Sequence, residues 1–230
     1  MKLLALDTST ERCSAALWLD GETHARRAMA GQMHSSLLLP MVDGLLADAG
    51  LSLRQLDWIA YGAGPGSFTG LRIACAVTQG LALGADLPVH GVSTLESIAQ
   101  QTDADRVLTV LDARMAEVYW AAYERAGAGW TCVLEPVLSM PESVRAPEGT
   151  GWIGAGNGFA ALGEVLLPRL QPVLGRIESG LLPDAAAIAV LAVPAFARGE
   201  GLDAALAAPV YLRDKVALTV DERLLRKQQA

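Results

Sequence analysis

The chain has 230 residues, of which 52% are hydrophobic and only 19% charged, and its formal net charge is -7. That length suits one large α/β domain or two lobes of about 100 residues each, and the acidic balance works against gripping a polyanion such as RNA unaided, because phosphate binding needs a field of Lys and Arg to displace counterions. The apolar excess is more than a monomer of this size usually hides, which favours a protein partner.

No stretch reaches the ~20 apolar residues that span a bilayer. The longest, residues 185–197, is Ala-rich, interrupted by Pro194 and reads as a buried helix. At the N-terminus the apolar residues Leu3, Leu4, Ala5 and Leu6 run into Asp7 before the core of a secretory signal can form, so a cytoplasmic protein is expected. Cys13, Cys75 and Cys132 are odd in number, far apart and form no CxxC pair, which predicts reduced, buried thiols.

In chain order, residues 2–7 predict a buried strand and Thr8-Ser9-Thr10 a polar turn. Residues 13–19 and 22–29 predict a hairpin around Asp20-Gly21, a pair suited to the positive φ of a type I′ turn. Leu38, Val42, Leu45, Leu46 and Ala49 recur at helical spacing, predicting a helix over 35–49 that stops at Gly50. A strand over 58–62, a glycine-rich loop, a second helix over 69–84, a strand over 88–92 and a short helix from Thr94 follow. The order β-β-β-α-β-α-β is that of a ribonuclease-H-like lobe. A second, degenerate copy is predicted from strands over 106–112, 118–123, 131–134 and 152–154 and helices over 157–166 and 184–198, with 146–151 as a loop. The tail from Leu218, with Arg223, Arg226 and Lys227, reads as a short charged helix or a frayed end.

Gly62-Ala63-Gly64-Pro65-Gly66-Ser67-Phe68-Thr69-Gly70-Leu71-Arg72 is the most distinctive run. It lacks the Lys of a P-loop, the third glycine of a dinucleotide fingerprint at Ser67, and the glycine of a nucleophile elbow at Pro65. What remains is a turn that delivers a helix N-terminus, with Ser67 or Thr69 as its cap and tight packing as its role. Gly70, Ala74, Thr78, Gly80 and Gly84 keep one side of that helix low, and Leu37 and Met41 lie outside the main stripe of the first helix. A partner-binding platform is therefore expected on the two helix faces through His34, Leu37, Leu38, Met41, Leu45, Gly70, Leu71, Ala74, Thr78 and Leu81.

Leu6-Asp7-Thr8-Ser9-Thr10 resembles the first phosphate loop of the actin and sugar-kinase superfamily, where a strand-end acid holds Mg. The blander reading is a strand terminus whose Asp accepts hydrogen bonds from its own turn. A vestigial nucleotide loop would consist of Asp7, Thr8, Ser9 and Asp112. The second loop, Asp112-Ala113-Arg114, has no glycine, and Gly154-Ala155-Gly156-Asn157-Gly158 stands where a Gly-Gly adenosine motif belongs. No cofactor is expected beyond weak ATP or ADP binding at a partner interface. His24, His34 and His90 share no metal-ligand spacing, which leaves His34 to capping or packing. Asp112, Arg114 and Glu117 read as a charged cluster at a strand turn, with a surface ion pair worth under ~1 kcal/mol as the plain alternative.

Leu4-Ala5-Leu6-Asp7-Thr8-Ser9, His34-Ser35, Gly64 to Arg72, Gly91-Val92-Ser93-Thr94-Leu95-Glu96, Leu111-Asp112-Ala113-Arg114 and Pro209-Val210-Tyr211-Leu212-Arg213 occur in an order that resembles the TsaB, or YeaZ, family over nearly the whole chain. The resemblance implies an actin-like ATPase (ASKHA) fold of two ribonuclease-H-like lobes: a partner-binding lobe over 1–100, a degenerate lobe over 101–210, and a tail over 211–230 that packs back on the first lobe. It also implies a non-catalytic, activating subunit of the complex that transfers threonylcarbamoyl to N6 of adenosine 37 in ANN-decoding tRNAs. Its partners would be the catalytic paralogue TsaD in a heterodimer, TsaE in a larger complex, and a second copy of itself when alone. tRNA would be contacted only indirectly and no membrane is involved. The paralogue carries two metal-binding histidines where Thr94 and Ile98 stand here, and a hydroxyl and a butyl group do not replace imidazoles on a transition metal. The competing readings are a stand-alone peptidase-like protein and a small-molecule kinase of the same fold.

Overall fold

β1 (Lys2–Asp7) is apolar on both faces because both faces are covered. Leu4 and Leu6 enter one core while Leu3 and Ala5 enter another, the period-two alternation of a central strand. The protein is described here from a computed structural model covering residues 1–213 apart from Ala128. β1 pairs antiparallel with β2 (Arg12–Leu19), which pairs with β3 (Glu22–Met29). Asp20 and Gly21 turn the chain with φ of 48° and 108°, as the hairpin requires. β4 (Trp58–Gly64) and β5 (Val89–Ser93) add in parallel, reached through α1 (His34–Asp48) and α2 (Phe68–Ala85), giving the order β3-β2-β1-β4-β5.

The second sheet repeats the first. β6 (Arg106–Asp112), β7 (Val118–Ala126), β8 (Gly129–Ser139), β9 (Trp152–Ala155) and β10 (Leu174–Glu178) are arranged β10-β9-β6-β7-β8, with the same parallel and antiparallel senses. α4 (Gly158–Leu170) links β9 to β10. Where the first lobe has α1, the second has only a 3-10 turn at Pro141–Ser143 and irregular chain, from which Val144 plugs the core and Arg145 lies over Trp120. The architecture is the actin-like ATPase fold, with its second lobe abbreviated.

Each lobe lends its last helix to the other. α3 (Thr94–Ala99) places Leu95, Ile98 and Ala99 against Val107, Leu111 and Tyr119 of the second sheet. α5 (Ala185–Ala197) places Ala185, Ile188, Ala189 and Ala192 against Leu3, Ala16, Trp58 and Val92 of the first. The helix grouped by sequence order with the second lobe thus covers the first sheet.

Other differences have local causes. β10 is absent from the sequence reading because Gly175, Arg176 and Ile177 are exposed and show no alternation of burial. α4 continues past residue 166 to Leu170, and a bend at Leu162 (φ -134°, ψ 24°) breaks its spacing. α2 is by length and composition able to cross a membrane, where the sequence reading expected no such stretch. Here it is a core helix, with Leu71, Ala74, Cys75 and Ala82 buried. Cys13 and Cys75 are buried free thiols and Cys132 is half-buried, with burial pushing Cys13 and Cys132 up to about 11. The charged tail expected from Leu218 lies outside the described residues.

Candidate functional site

The glycine run at the end of β4 is pressed onto the turn between β1 and β2. A Cβ on Gly66 would stand 2.5 Å from Ser9 O, and one on Gly70 would overlap Thr8 O. Ser67 N donates to Ser9 O at 2.7 Å and Thr8 Oγ1 donates to Gly70 O at 2.6 Å. Ser67, rather than Thr69, caps α2 by accepting from Gly70 N. Thr94 Oγ1 donates to Pro65 O at 2.5 Å. The run serves close backbone packing, as its residues predicted.

This packing seals Asp7, which is completely buried. Its Oδ1 accepts from Ser9 N at 3.2 Å and Ser9 Oγ at 3.0 Å, while Oδ2 faces Gly62 and has no hydrogen-bond partner among the described residues. Burial pushes the carboxyl up to about 7, the charge of Asp184 adds to the rise, and the Ser9 hydrogen bonds and Arg12 oppose it. Of the four residues assigned to a vestigial nucleotide loop, Ser9 and Asp112 line the interlobe cleft. Asp7 and Thr8 do not, because the glycine turn holds their side chains inside the fold.

The cleft has a volume of about 530 Å³. Asn157 crosses it: its Oδ1 accepts from Asp112 N at 2.9 Å and its Nδ2 donates to Glu11 Oε1 at 3.4 Å. Arg114 pairs with Asp112 at 3.0 Å and approaches Glu11 at 4.0 Å. Arg114, Met115 and Ala116 all have left-handed φ, at 61°, 57° and 62°. A strained turn of side-chain-bearing residues therefore occupies the place of a glycine-containing phosphate loop. Gly156 and Gly158 are spent on close approach to Val110 of β6. The charged cluster divides, for Glu117 pairs with Arg213 at 2.7 Å instead of with Arg114. His34 is buried and Nε2 donates to Thr10 O at 2.8 Å, a packing role at the start of α1. Thr94 and Ile98 are fully buried, and no three His, Cys, Asp or Glu side chains converge among the described residues.

The helix faces depart from expectation. His34, Leu38, Leu45, Gly70, Leu71, Ala74 and Thr78 are buried inside the lobe, and Leu37, Met41 and Leu81 are half-buried against the same core. Leu38 and Leu45 lie on the stripe that faces the sheet, the low side of α2 at Gly70, Ala74 and Thr78 is packed inside the lobe, and Leu37 and Met41, outside the main stripe, still pack on the margin of that core. Exposed on this side of the lobe are Met33, just before α1, Leu39 on α1 and Leu83 on α2, by 58%, 43% and 64%, and α2 also exposes Arg72, Ala76, Gly80 and Gly84.

Two features escaped the sequence reading. Asp184, almost fully buried, is held by Arg27 at 2.5 Å and Arg12 at 3.5 Å and caps α5 through Ala186 N. Its place just before an Ala-rich run is the signature of a helix cap. Tyr211 stacks on Phe68 with ring centroids 5.3 Å apart, and Arg72 lies 3.9 Å from the Phe68 centroid. No local pattern announces that contact.

The family model described as TsaD, tRNA N6-adenosine threonylcarbamoyltransferase, matches residues 27–168. The tRNA threonylcarbamoyladenosine biosynthesis protein TsaB of Escherichia coli K12 is 43% identical, covering 94% of this chain and 96% of its own. The protein of the same name from Haemophilus influenzae is 36% identical over 94% of this chain and 95% of its own. The solved structure of YeaZ from Pseudomonas aeruginosa superposes with a TM-score of 0.86 at 42% identity, covering 92% of this chain and 99% of that one. With a glycine run turned to packing, a sealed strand-end carboxyl and relatives alike over almost their entire length, the chain belongs to the TsaB (YeaZ) family.

Proposed function

We propose that this chain is a non-catalytic, activating subunit in the synthesis of threonylcarbamoyladenosine in tRNA. The observation that carries the reading is the sealing of Asp7, since a carboxyl buried under Gly62 and the α2 turn offers nothing to a metal-bound phosphate. Thr94 and Ile98 are likewise committed to the core. The names of the relatives supply the modification. The match of residues 27–168 to the TsaD family model supports a TsaD-type paralogue as partner, since two chains with the same lobe can meet about a pseudo-twofold axis. The free flank of α1 and α2 is the surface for that meeting, and a second copy of the chain occupies it until the paralogue arrives. TsaE joins the larger complex, tRNA is contacted through the partner, and the work is done in the cytoplasm.

The test is co-expression with the TsaD-type paralogue of the same genome. A stable one-to-one complex is expected, together with background metal content, Mg-ATP hydrolysis and casein cleavage for the isolated chain. Failure to co-purify, or catalysis by the chain alone, overturns the proposal and reopens the peptidase and kinase readings.

A further inference from the structure

Residues 207–213 have no regular secondary structure, yet they are fastened at both ends. On the first lobe, Gln79 Nε2 and Cys75 Sγ donate to Ala207 O at 3.1 and 3.3 Å. The Tyr61 hydroxyl both accepts from Ala208 N at 2.9 Å and donates to Ala208 O at 3.1 Å. Val210 N donates to Ala63 O at 2.7 Å, and the Val210 carbonyl lies where a side chain on Gly64 would stand, 2.5 Å from a Cβ there. Arg72 Nε donates to the Tyr211 hydroxyl at 2.9 Å.

On the second lobe the same segment ends at Arg213. Its guanidinium pairs with Glu117 at 2.7 Å and donates to Ala113 O at 3.1 Å and to Met115 Sδ at 3.3 Å. The Arg213 and Glu117 side chains are only 14% and 28% exposed, so water competes little for the pair. All three partners of Arg213 belong to the turn between β6 and β7, the one that holds three consecutive left-handed residues. That turn has two backbone hydrogen bonds of its own, Ala113 N to Glu117 O at 3.0 Å and Glu117 N to Arg114 O at 3.1 Å. The side-chain contacts that otherwise join it and its neighbour Asn157 to the first lobe are long, with Asn157 at 3.4 Å and Arg114 at 4.0 Å from Glu11.

We propose that residues 207–213 are a latch across the cleft, with the Arg213–Glu117 pair as its catch. The latch holds the β6–β7 turn in its left-handed form and sets the spacing of the two lobes at the cleft mouth. Val210, Tyr211, Leu212 and Arg213 themselves form one wall of the cleft, so releasing the catch frees that wall and the turn facing it together.

The test is amide hydrogen exchange on the full chain, comparing wild type with Arg213→Gln and Glu117→Ala and using Arg176→Ala, which breaks an ion pair with Asp103 and Glu178 elsewhere on the second lobe, as control. The amides of Ala113 and Glu117 should exchange about tenfold faster or more in both latch variants, while β1 amides keep wild-type protection. A smaller change at Ala113 and Glu117, an equal acceleration in β1, or the same effect from Arg176→Ala overturns the latch. Glu117→Ala, at the better exposed end of the pair, guards against an Arg213 variant that fails to fold.

Discussion

The carboxyl of Asp7 is packed against the α-carbon of Gly62 so closely that a Cβ at position 62 would overlap Oδ2, with Thr94 Cγ2 3.2 Å away. Gly62→Ala should therefore destabilise the protein by about 1–3 kcal/mol through overpacking. Part of that loss should return in the Asp7→Ala background, because the two changes share one contact. Urea denaturation of the four proteins in the cycle measures it, and equal costs in both backgrounds would exclude Asp7 as the cause.

Asp7 also sets a pH dependence. Its folded-state carboxyl is raised to about 7 from 3.8, so between those values the folded chain holds a proton that the unfolded chain has released. The neutral carboxyl's contribution is complete below about pH 4 and is lost as pH rises through 7. Between pH 5 and pH 7 the loss is on the order of 2 kcal/mol, at about 1.4 kcal/mol per unit. Asp7→Asn, which cannot ionise, should gain stability relative to wild type over that interval. Parallel stability curves for the two proteins would contradict the assignment.

Asp184 joins a helix cap to two ion pairs whose shared carboxylate is buried. Asp184→Ala should cost about 2–4 kcal/mol, since it uncaps α5 and leaves Arg12 and Arg27 without their shared carboxylate. Asp184→Asn keeps a capping oxygen and should cost less. Thermal melts of the two variants distinguish cap from charge; identical losses would assign the whole effect to the charge.

The exposed flank of α1 and α2 is the proposed partner surface, and substitutions there and in the core have different expected outcomes. Leu83→Glu and Leu39→Glu should leave circular dichroism and melting temperature close to wild type while abolishing the paralogue complex. Thr78→Glu should instead unfold the protein, because Thr78 is fully buried and a carboxylate there lacks both room and a partner. If Leu83→Glu and Leu39→Glu still pull down the paralogue at wild-type levels, the interface lies on another face.

The elements that can be read locally were legible. The Asp20-Gly21 hairpin, α1 with its stop at Gly50, and the placement of Thr94 and Ile98 on α3 all follow from spacing, turn chemistry or motif order. What was not legible depends on distant chain. β10 has no apolar alternation because the edge position it fills buries little of it, and α5 carries no mark saying which sheet it will cover. Leu38, Leu45, Ala74 and Thr78, expected on a partner-binding platform, are buried in the lobe for a related reason. Regular spacing reports the side of a helix that meets its own sheet, whereas Leu39 and Leu83 stand out only once that sheet is in place. The low side at Gly70 is taken by the Thr8 carbonyl, while Gly80 and Gly84 look into open space.

The exchange of α3 and α5 between the lobes has a consequence for the order in which the chain can mature during translation. All five strands of the first sheet have been synthesised once the chain reaches Ser93, but the face made by Leu3, Ala5, Ala16, Trp58, Ala60 and Val92 is covered by Ala185–Ala197. At about 5–20 residues per second, that apolar sheet waits several seconds for its lid. During that interval the nascent first lobe presents an uncovered apolar face, and neither half of the gene encodes a unit that covers both faces of its own sheet.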